Sequence, residues 1–391
     1  MHVVLFLTYG GSLTSWRRGK VLDRELALYQ ELCKKGVQVT IFSYGDGRDE
    51  RLVIDSQCMS VLCNKWRLPK ALYVLLAPII YRANLGQADL FKTNQMRGAH
   101  AATWCGKIFR KPVILRQGYS LYEFTRDDEG LRRLFAPLIR GYERRLLNRA
   151  DAAIFTTKEM AARAVKRYHL GQGKVYVVPN FVVTSIWARH HIDQNRSPAV
   201  LGFVGRFSHQ KNLESLVWAS QGFPVRIEMI GSGKLEGKIT SLAKHLSVQV
   251  EVFDLMTQEE IAKKMERWMC FVLPSLFEGH PKALIEAMTF GIPILAANSP
   301  GIRELIEPGK DGILVQPTVE GLRQGIGDML QMSPKQRSEL GRGARLKAVK
   351  SYSLERVLAD ELKIYKALVE SSGKSFTCAG DGQAFTRIPP D

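Results

Sequence analysis

Short apolar runs alternate with longer amphipathic stretches along most of the chain. The first run, HVVLFLT at 2–8, is continuous rather than alternating, the pattern of a strand buried on both faces of a parallel sheet. Gly10 and Gly11 close it. Helical sequence follows from about 20 to 35 and stops at Gly36, and the next strand is 37–43. Four further strands are predicted at 89–92, 112–116, 152–156 and 175–178, and helices at 97–109, 130–149 and 158–169. Within 130–149, Leu131, Leu134, Phe135, Leu138, Ile139, Tyr142 and Leu146 form a 3.6-residue stripe, with arginines elsewhere. That stripe is read as core contact, with a membrane-facing role as the lesser alternative. The run at 71–81 is about half a membrane span in length and contains Pro78, so it predicts a half-buried helix.

The segment 179–198 breaks the rhythm. It is polar, has a proline at each end and shows no clean period, so it reads as a linker. The alternation then restarts, with strands at 200–205, 225–230, 249–253, 270–274, 292–296 and 312–315. Helices are expected at 211–220, 235–245, 258–267, 281–290, 301–307 and 317–331. Two such arrays predict an α/β protein of two Rossmann-like, doubly wound domains, 1–180 and 198–350. Ligands of such sheets bind beyond the carboxyl ends of the strands, so the cleft between two facing domains is the expected site. A last helix at about 353–370 can return to pack on the first domain. The tail 371–391 is poor in apolar residues and is expected to be mobile.

Composition refines this picture. At 391 residues, with 45% hydrophobic and 24% charged residues, the chain can bury two cores. The net charge of +18 is uneven: residues 1–195 carry 31 Lys and Arg against 16 Asp and Glu, the remainder 25 against 22. A basic first half points to an anionic partner, such as an anionic membrane surface or an anionic acceptor. No interleaved aromatics or recognisable module support nucleic acid. The six cysteines at 33, 58, 63, 105, 270 and 378 form no CxxC pair and no Cys/His ligand set, which predicts reduced thiols, no disulfide and no metal. The N-terminus lacks the pattern of a secretory leader, and a cytoplasmic protein is expected.

The chemistry concentrates in three loops of the second half. In FEGHPKALIE (277–286), Pro281 stands where a helix begins, and the first-turn amides near Lys282, Ala283 and Leu284 lack helical partners. Such a terminus attracts phosphate, and Lys282 and His280 add positive charge. Glu278 lies in the loop and Glu286 one turn into the helix. This is not the placement of two carboxylates flanking a glycosidic bond. Each suits vicinal hydroxyls instead, Glu286 a ribose and Glu278 a sugar. In GFVGRFSHQKN (202–212), Arg206 and Lys211 flank a turn after Gly205, a pair suited to a diphosphate. Gly231, in IGSGK, permits close approach of a nucleotide or makes a tight turn. His209 and His280 are read as polar contacts rather than bases.

These segments resemble the retaining GT-B glycosyltransferases of family 4. PSLFEGHPKALIEAMTFGIPI is similar to that family's acidic motif, GRFSHQKN to its Gly-Arg…Lys segment, VYVVPNFV to its Pro-Asn segment, and YGG at 9–11 to its glycine loop. The resemblance extends to about residue 370. It implies a GT-B fold, a nucleoside-diphosphate sugar held by the C-terminal domain and a glycan or lipid-linked acceptor held by the N-terminal one. It also implies retention of configuration, without metal or other cofactor. Glu286 would take the ribose, Glu278 the hexose, and Arg206, Lys211 and the amides of Ala283 and Leu284 the diphosphate. Gly11 would allow close backbone approach. Where many members carry His-Gly, this chain has Gln117, which can bond a hydroxyl but cannot transfer a proton. A nucleotide-sugar epimerase and a non-catalytic protein that kept the fold stand as the rival readings.

Overall fold

The computed structural model describes residues 1–53, 57–126, 131–187 and 198–371. The tail beyond 371 and most of the linker segment, 188–197, lie outside the described residues. The chain divides into two compact units, Met1–Pro179 together with the chain from Val357, and Asn180–Arg356.

The first unit is built on a seven-stranded parallel sheet in the order β3-β2-β1-β4-β5-β6-β7. Its strands are β1 (His2–Phe6), β2 (Gln38–Phe42), β3 (Met59–Leu62), β4 (Leu90–Thr93), β5 (Val113–Gln117), β6 (Ala152–Phe155) and β7 (Val175–Val177). The helices are α1 (Leu13–Arg18), α2 (Leu22–Lys34), α3 (Lys70–Ile80), α4 (Arg82–Gln87), α5 (Ala99–Phe109), α6 (Leu121–Arg126), α7 (Ala136–Arg149) and α8 (Lys158–Tyr168). The continuous apolar runs form the central strands: all five residues of β1 are buried, because helices cover both faces of a parallel sheet.

The second unit repeats the plan with six parallel strands in the order β10-β9-β8-β11-β12-β13. They are β8 (Ala199–Val204), β9 (Val225–Ile230), β10 (Gln249–Phe253), β11 (Cys270–Leu273), β12 (Ile294–Ala297) and β13 (Ile313–Val315). Its helices are α9 (Leu213–Ser220), α10 (Glu236–His245), α11 (Gln258–Met265), α12 (Lys282–Phe290), α13 (Val319–Gln331) and α14 (Pro334–Tyr352). The chain then returns to the first unit as α15 (Leu354–Ser371). There Glu361, fully buried, accepts from Lys92 Nζ at 2.6 Å and from Arg116 at 3.3 Å. Lys92 is itself fully buried on β4.

Several expectations are corrected. The helix expected from 130 is a 3₁₀ turn, Leu131–Phe135, followed by α7, whose start is fixed by Pro137 in its first turn. Leu146 packs in the core, but Leu134, Phe135 and Leu138 are 68%, 58% and 70% exposed, so these three positions of the stripe are not core contact. The predicted helix at 301–307 is a series of turns between Pro300 and Pro308. Strand β3 and helix α14 were not anticipated. The first is only four residues long. The second opens with a Ser333–Gln336 capping box but has a mostly polar sequence. The cysteine expectation also fails at one pair: Cys33, at the end of α2, and Cys58, just before β3, form a disulfide with Cα atoms 5.8 Å apart. Pairing of β2 with β3 brings them together across 25 positions of sequence. Cys63, Cys105 and Cys270 are free and buried, and burial pushes each thiol up to about 12. No helix among the described residues is long and apolar enough to cross a membrane.

Candidate active site

Strand β8 ends at Gly205 and the chain turns sharply towards α9. A 3₁₀ turn, His209–Lys211, is followed by Asn212 in the left-handed region, with φ +53°. The Asn212 amide nitrogen donates to the carbonyls of Pro274 at 3.2 Å and Pro317 at 3.0 Å, which offsets the cost of that conformation. The loop after β9 lies directly against this turn. Gly205 N donates to Ile230 O at 3.0 Å, and Phe207 N to Ser232 O at 2.9 Å. Gly231 has φ +140°, and a Cβ there would collide with the Gly205 carbonyl. Its glycine is therefore required by a backbone-to-backbone contact.

The loop 274–281 is held from two sides. From the 209–212 turn, Gln210 Nε2 donates to Phe277 O at 2.8 Å and to Glu278 Oε2 at 3.3 Å, while Gln210 O accepts from Leu276 N at 2.9 Å. Lys211 Nζ forms an ion pair with Glu278 Oε1. From the other side, Glu278 N donates to Pro300 O at 2.8 Å, and Ser299 Oγ to Ser275 O at 2.7 Å. Gly301, at φ +78°, would clash through any Cβ with the Glu278 carbonyl. Glu278 is thus fixed at both its backbone and its carboxylate. Arg206, next to this pair, is exposed and makes no ion pair among the described residues.

Helix α12 starts at the end of that loop, with Pro281 at its N-cap. The three first-turn amides are not equivalent. Leu284 N donates back to Pro281 O at 3.1 Å, which corrects the expectation that it lacks a partner, whereas Ala283 N makes no hydrogen bond among the described residues. Lys282 is half-buried, with its Nζ 5.8 Å from the centre of the Phe181 ring. His280 is buried, edge-on to Tyr352 at 5.1 Å, and its carbonyl accepts from Asn180 at 2.7 Å. Glu286 is buried on the second turn of α12 and accepts from Gln258 Nε2 at 2.9 Å. Gln258 opens α11, whose start is set by the Thr257–Glu260 capping box.

Ten of the twelve expected residues therefore belong to the second unit, around the carboxyl ends of β8, β9 and β11: Gly205, Arg206, Lys211, Gly231, Glu278, His280, Lys282, Ala283, Leu284 and Glu286. Gly11 and Gln117 belong to the first unit. Gly11 closes the loop after β1, with its amide donating to Thr8 O at 2.6 Å and its carbonyl accepting from Tyr44 N at 3.1 Å. Gln117, at the end of β5, is buried, and its amide nitrogen donates to Glu143 at 2.9 Å. Glu143 also accepts from Tyr168 Oη at 2.5 Å, Leu121 N at 2.8 Å, Ser120 Oγ at 3.1 Å and Tyr122 N at 3.4 Å. Burial raises its pKa despite those donors. Among the described residues, Gln117 Oε1 is left buried without a hydrogen-bond partner. A cavity of about 360 Å³ lies elsewhere, between α10 and the amino-terminal end of β10, and contains none of these residues.

Sequence reasoning missed Gln210, Gln258, Asn180, Gly301 and Glu143 as supports. Asn180 and Gln210 lie inside the quoted segments, and the Ser-Pro-Gly of 299–301 is a turn signal. Gln258 and Glu143 give no sequence signal, since each meets its partner only in three dimensions. Among the described residues, no group of three or more His, Cys, Asp or Glu could hold a metal ion.

Two family profiles match the chain, "Glycosyltransferase Family 4" over residues 26–186 and "Glycosyl transferases group 1" over 188–347. An uncharacterized glycosyltransferase of Haemophilus influenzae is 32% identical over 136 residues, which are 34% of this chain and 38% of that protein. The alpha-maltose-1-phosphate synthase of Mycolicibacterium smegmatis is 24% identical over 71% of this chain and 82% of its own. Among solved structures, the sucrose-phosphate synthase of Thermosynechococcus elongatus superposes with a TM-score of 0.77 at 18% identity, covering 95% of this chain and all of its own. Anabaena Alr3699/HepE superposes with a TM-score of 0.74 at 16% identity, covering 94% of this chain and 100% of its own. At these identities the structures establish the fold, which is GT-B.

Proposed function

Since the chain belongs to the group 1, family 4 glycosyltransferases, we propose that it transfers a hexose from a nucleoside-diphosphate donor to a glycan or lipid-linked acceptor. Configuration is retained and no metal is required. The observation that carries this reading is the meeting of two strand-end loops at the Lys211–Glu278 pair, beside the start of α12. An exposed cation at Arg206, a paired cation at Lys211 and the Ala283 amide supply three donors for a diphosphate. Glu278 and Glu286 supply carboxylates for hydroxyls of the hexose and the ribose. The Anabaena protein of the same fold binds UDP, and UDP with glucose, in its crystals.

In this reading the acceptor hydroxyl attacks the anomeric carbon from the face the diphosphate leaves. The sugar–oxygen bond to the diphosphate breaks, and a diphosphate oxygen takes the hydroxyl proton. Arg206 and Lys211 stabilise the charge that builds on the leaving group, an electrostatic form of catalysis. No side-chain base is needed, which agrees with Gln117 standing where many members carry histidine. The acceptor is presented at the cytoplasmic face of a membrane.

A thermal-shift panel of UDP-, GDP-, ADP- and CMP-sugars tests this, because a ligand that binds the folded state raises its melting temperature. One nucleotide class should stabilise the protein, and Glu286→Gln should abolish the shift. If no nucleotide sugar stabilises the wild type, the donor assignment falls. Turnover of a stabilising donor into a new sugar with no acceptor present would establish the epimerase instead.

A further inference from the structure

The first unit exposes apolar side chains on three neighbouring elements, one of them the stripe whose sequence pattern predicts core. Thirteen large hydrophobic residues are exposed among the described residues, and eight of them lie on α3, α5 and the 131–149 segment. They form one stripe on each element. On α3, Leu72, Leu75 and Ile79 fall on one side, 39%, 56% and 74% exposed, opposite the buried Tyr73 and Ala77. On α5, Trp104 and Ile108 are one turn apart, 40% and 45% exposed. On the 131–149 segment the stripe is Leu134, Phe135 and Leu138. Helix α3 packs beside α5, and α5 beside α7. All three connect strands running towards β7, so right-handed crossovers put them on the same face of the sheet. Their outward stripes therefore share one surface.

Among the described residues of these three elements, the exposed charge has one sign. The sequences of α3, α5 and 131–149 contain a single acidic residue, Glu143, and it is buried. Their exposed charges are cations, including Lys107 on the Trp104–Ile108 side of α5 and Arg145 on the Leu138 side of α7, and neither makes an ion pair among the described residues. The acidic run 127–129 lies outside the described residues. Adjacent apolar stripes interleaved with unpaired cations match an interface with anionic lipid headgroups, where the apolar groups enter the acyl boundary and the cations meet phosphates. A second copy of the chain fits less well, since a two-fold contact through this face would oppose cation to cation.

We propose that the outer face of α3, α5 and α7 is a docking surface for an anionic lipid membrane. The proposal rests on the membrane-presented acceptor above, but vesicle binding is read without turnover, so either can fail alone. The full chain is sedimented with phosphatidylglycerol–phosphatidylcholine vesicles and with phosphatidylcholine vesicles, at low and high salt. Three forms are compared: wild type, Leu75→Ser/Ile79→Ser and Lys107→Glu/Arg145→Glu. All these positions are exposed, and circular dichroism with the nucleotide-induced thermal shift confirms that each variant folds. Wild type should bind the anionic vesicles only and release at high salt, and each variant should lose on the order of tenfold in partitioning. Three results overturn the proposal: no wild-type binding to anionic vesicles, unchanged binding in the apolar variant, or a wild-type dimer that the apolar variant dissociates.

Discussion

Glu278 is held more firmly than a loop glutamate needs to be. Its carboxylate meets Lys211 and Gln210, its amide meets Pro300, and its carbonyl lies against Gly301. Such fixed geometry is what electrostatic stabilisation of a leaving group requires, because a preorganised cation costs no rearrangement during the reaction. Lys211→Ala should lower kcat on the order of 10²–10³-fold with little loss of fold, measured by steady-state turnover of the stabilising donor. Full turnover in that variant would remove Lys211 from the diphosphate site. Gly301→Ala acts on the backbone instead. An alanine at φ +78° with its Cβ against the Glu278 carbonyl should cost about 1–3 kcal/mol in denaturant unfolding and weaken the nucleotide-induced thermal shift. Both glutamates of the 277–286 motif stood out in sequence. Their supports Gln210 and Gln258 were not, because a glutamine gives no pattern until its partner is known.

Helix α15 is separated in sequence from the sheet it completes. Its Glu361 faces Lys92 and Arg116 in the core of the first unit, where Lys92 Nζ also lies 5.5 Å from the rings of Tyr29 and Tyr365. Burial favours the neutral acid, but the two cations outweigh it and hold the Glu361 carboxyl below its ordinary range. With the folded pKa below the unfolded one, the unfolded chain takes up the proton first as pH falls. This stabilisation is therefore complete above the usual carboxyl range and is lost on acidification. Glu361→Gln should cost about 3–5 kcal/mol at neutral pH, by leaving buried cations uncompensated. The variant should also lose less stability than wild type as pH falls from the ordinary carboxyl range downward, both measured by urea denaturation. A second tie is the Cys33–Cys58 disulfide between α2 and β3. Reductant should lower stability by about 2–4 kcal/mol, and Cys33→Ser should remove that dependence. Element types were largely legible from the 3.6- and continuous-run patterns. The readings that failed did so where proline or a short strand intervened, at Pro137, at 59–62 and at 300–308, and at α14, whose mostly polar sequence carries little apolar period.

The first unit is discontinuous: the chain leaves it at Pro179 and re-enters at Val357. A chain ending at Ser353 would lack α15 and leave Lys92 and Arg116 without their carboxylate. Limited proteolysis should then degrade the first unit rapidly while fragments from Asn180–Arg356 persist, whereas the full chain should protect both. Equal protection of the first unit in the shortened chain would show that α15 is dispensable.

The order of local patterns along the chain determined its class: repeated apolar runs and amphipathic helices dictate two doubly wound sheets, and the FEGHPKALIE and GRFSHQKN segments mark loops at strand ends. Those features are local, since each depends on residues within a few turns of one another. Tertiary structure decided what depends on distant partners. It paired Lys211 with Glu278 across 67 positions and Lys92 with Glu361 across 269. It turned Gln117 towards Glu143, joined Cys33 to Cys58, and left Leu134, Phe135 and Leu138 facing outward although their spacing is that of a core helix. Periodicity shows that a stripe will be apolar. Which surface meets it depends on how the neighbouring helices pack.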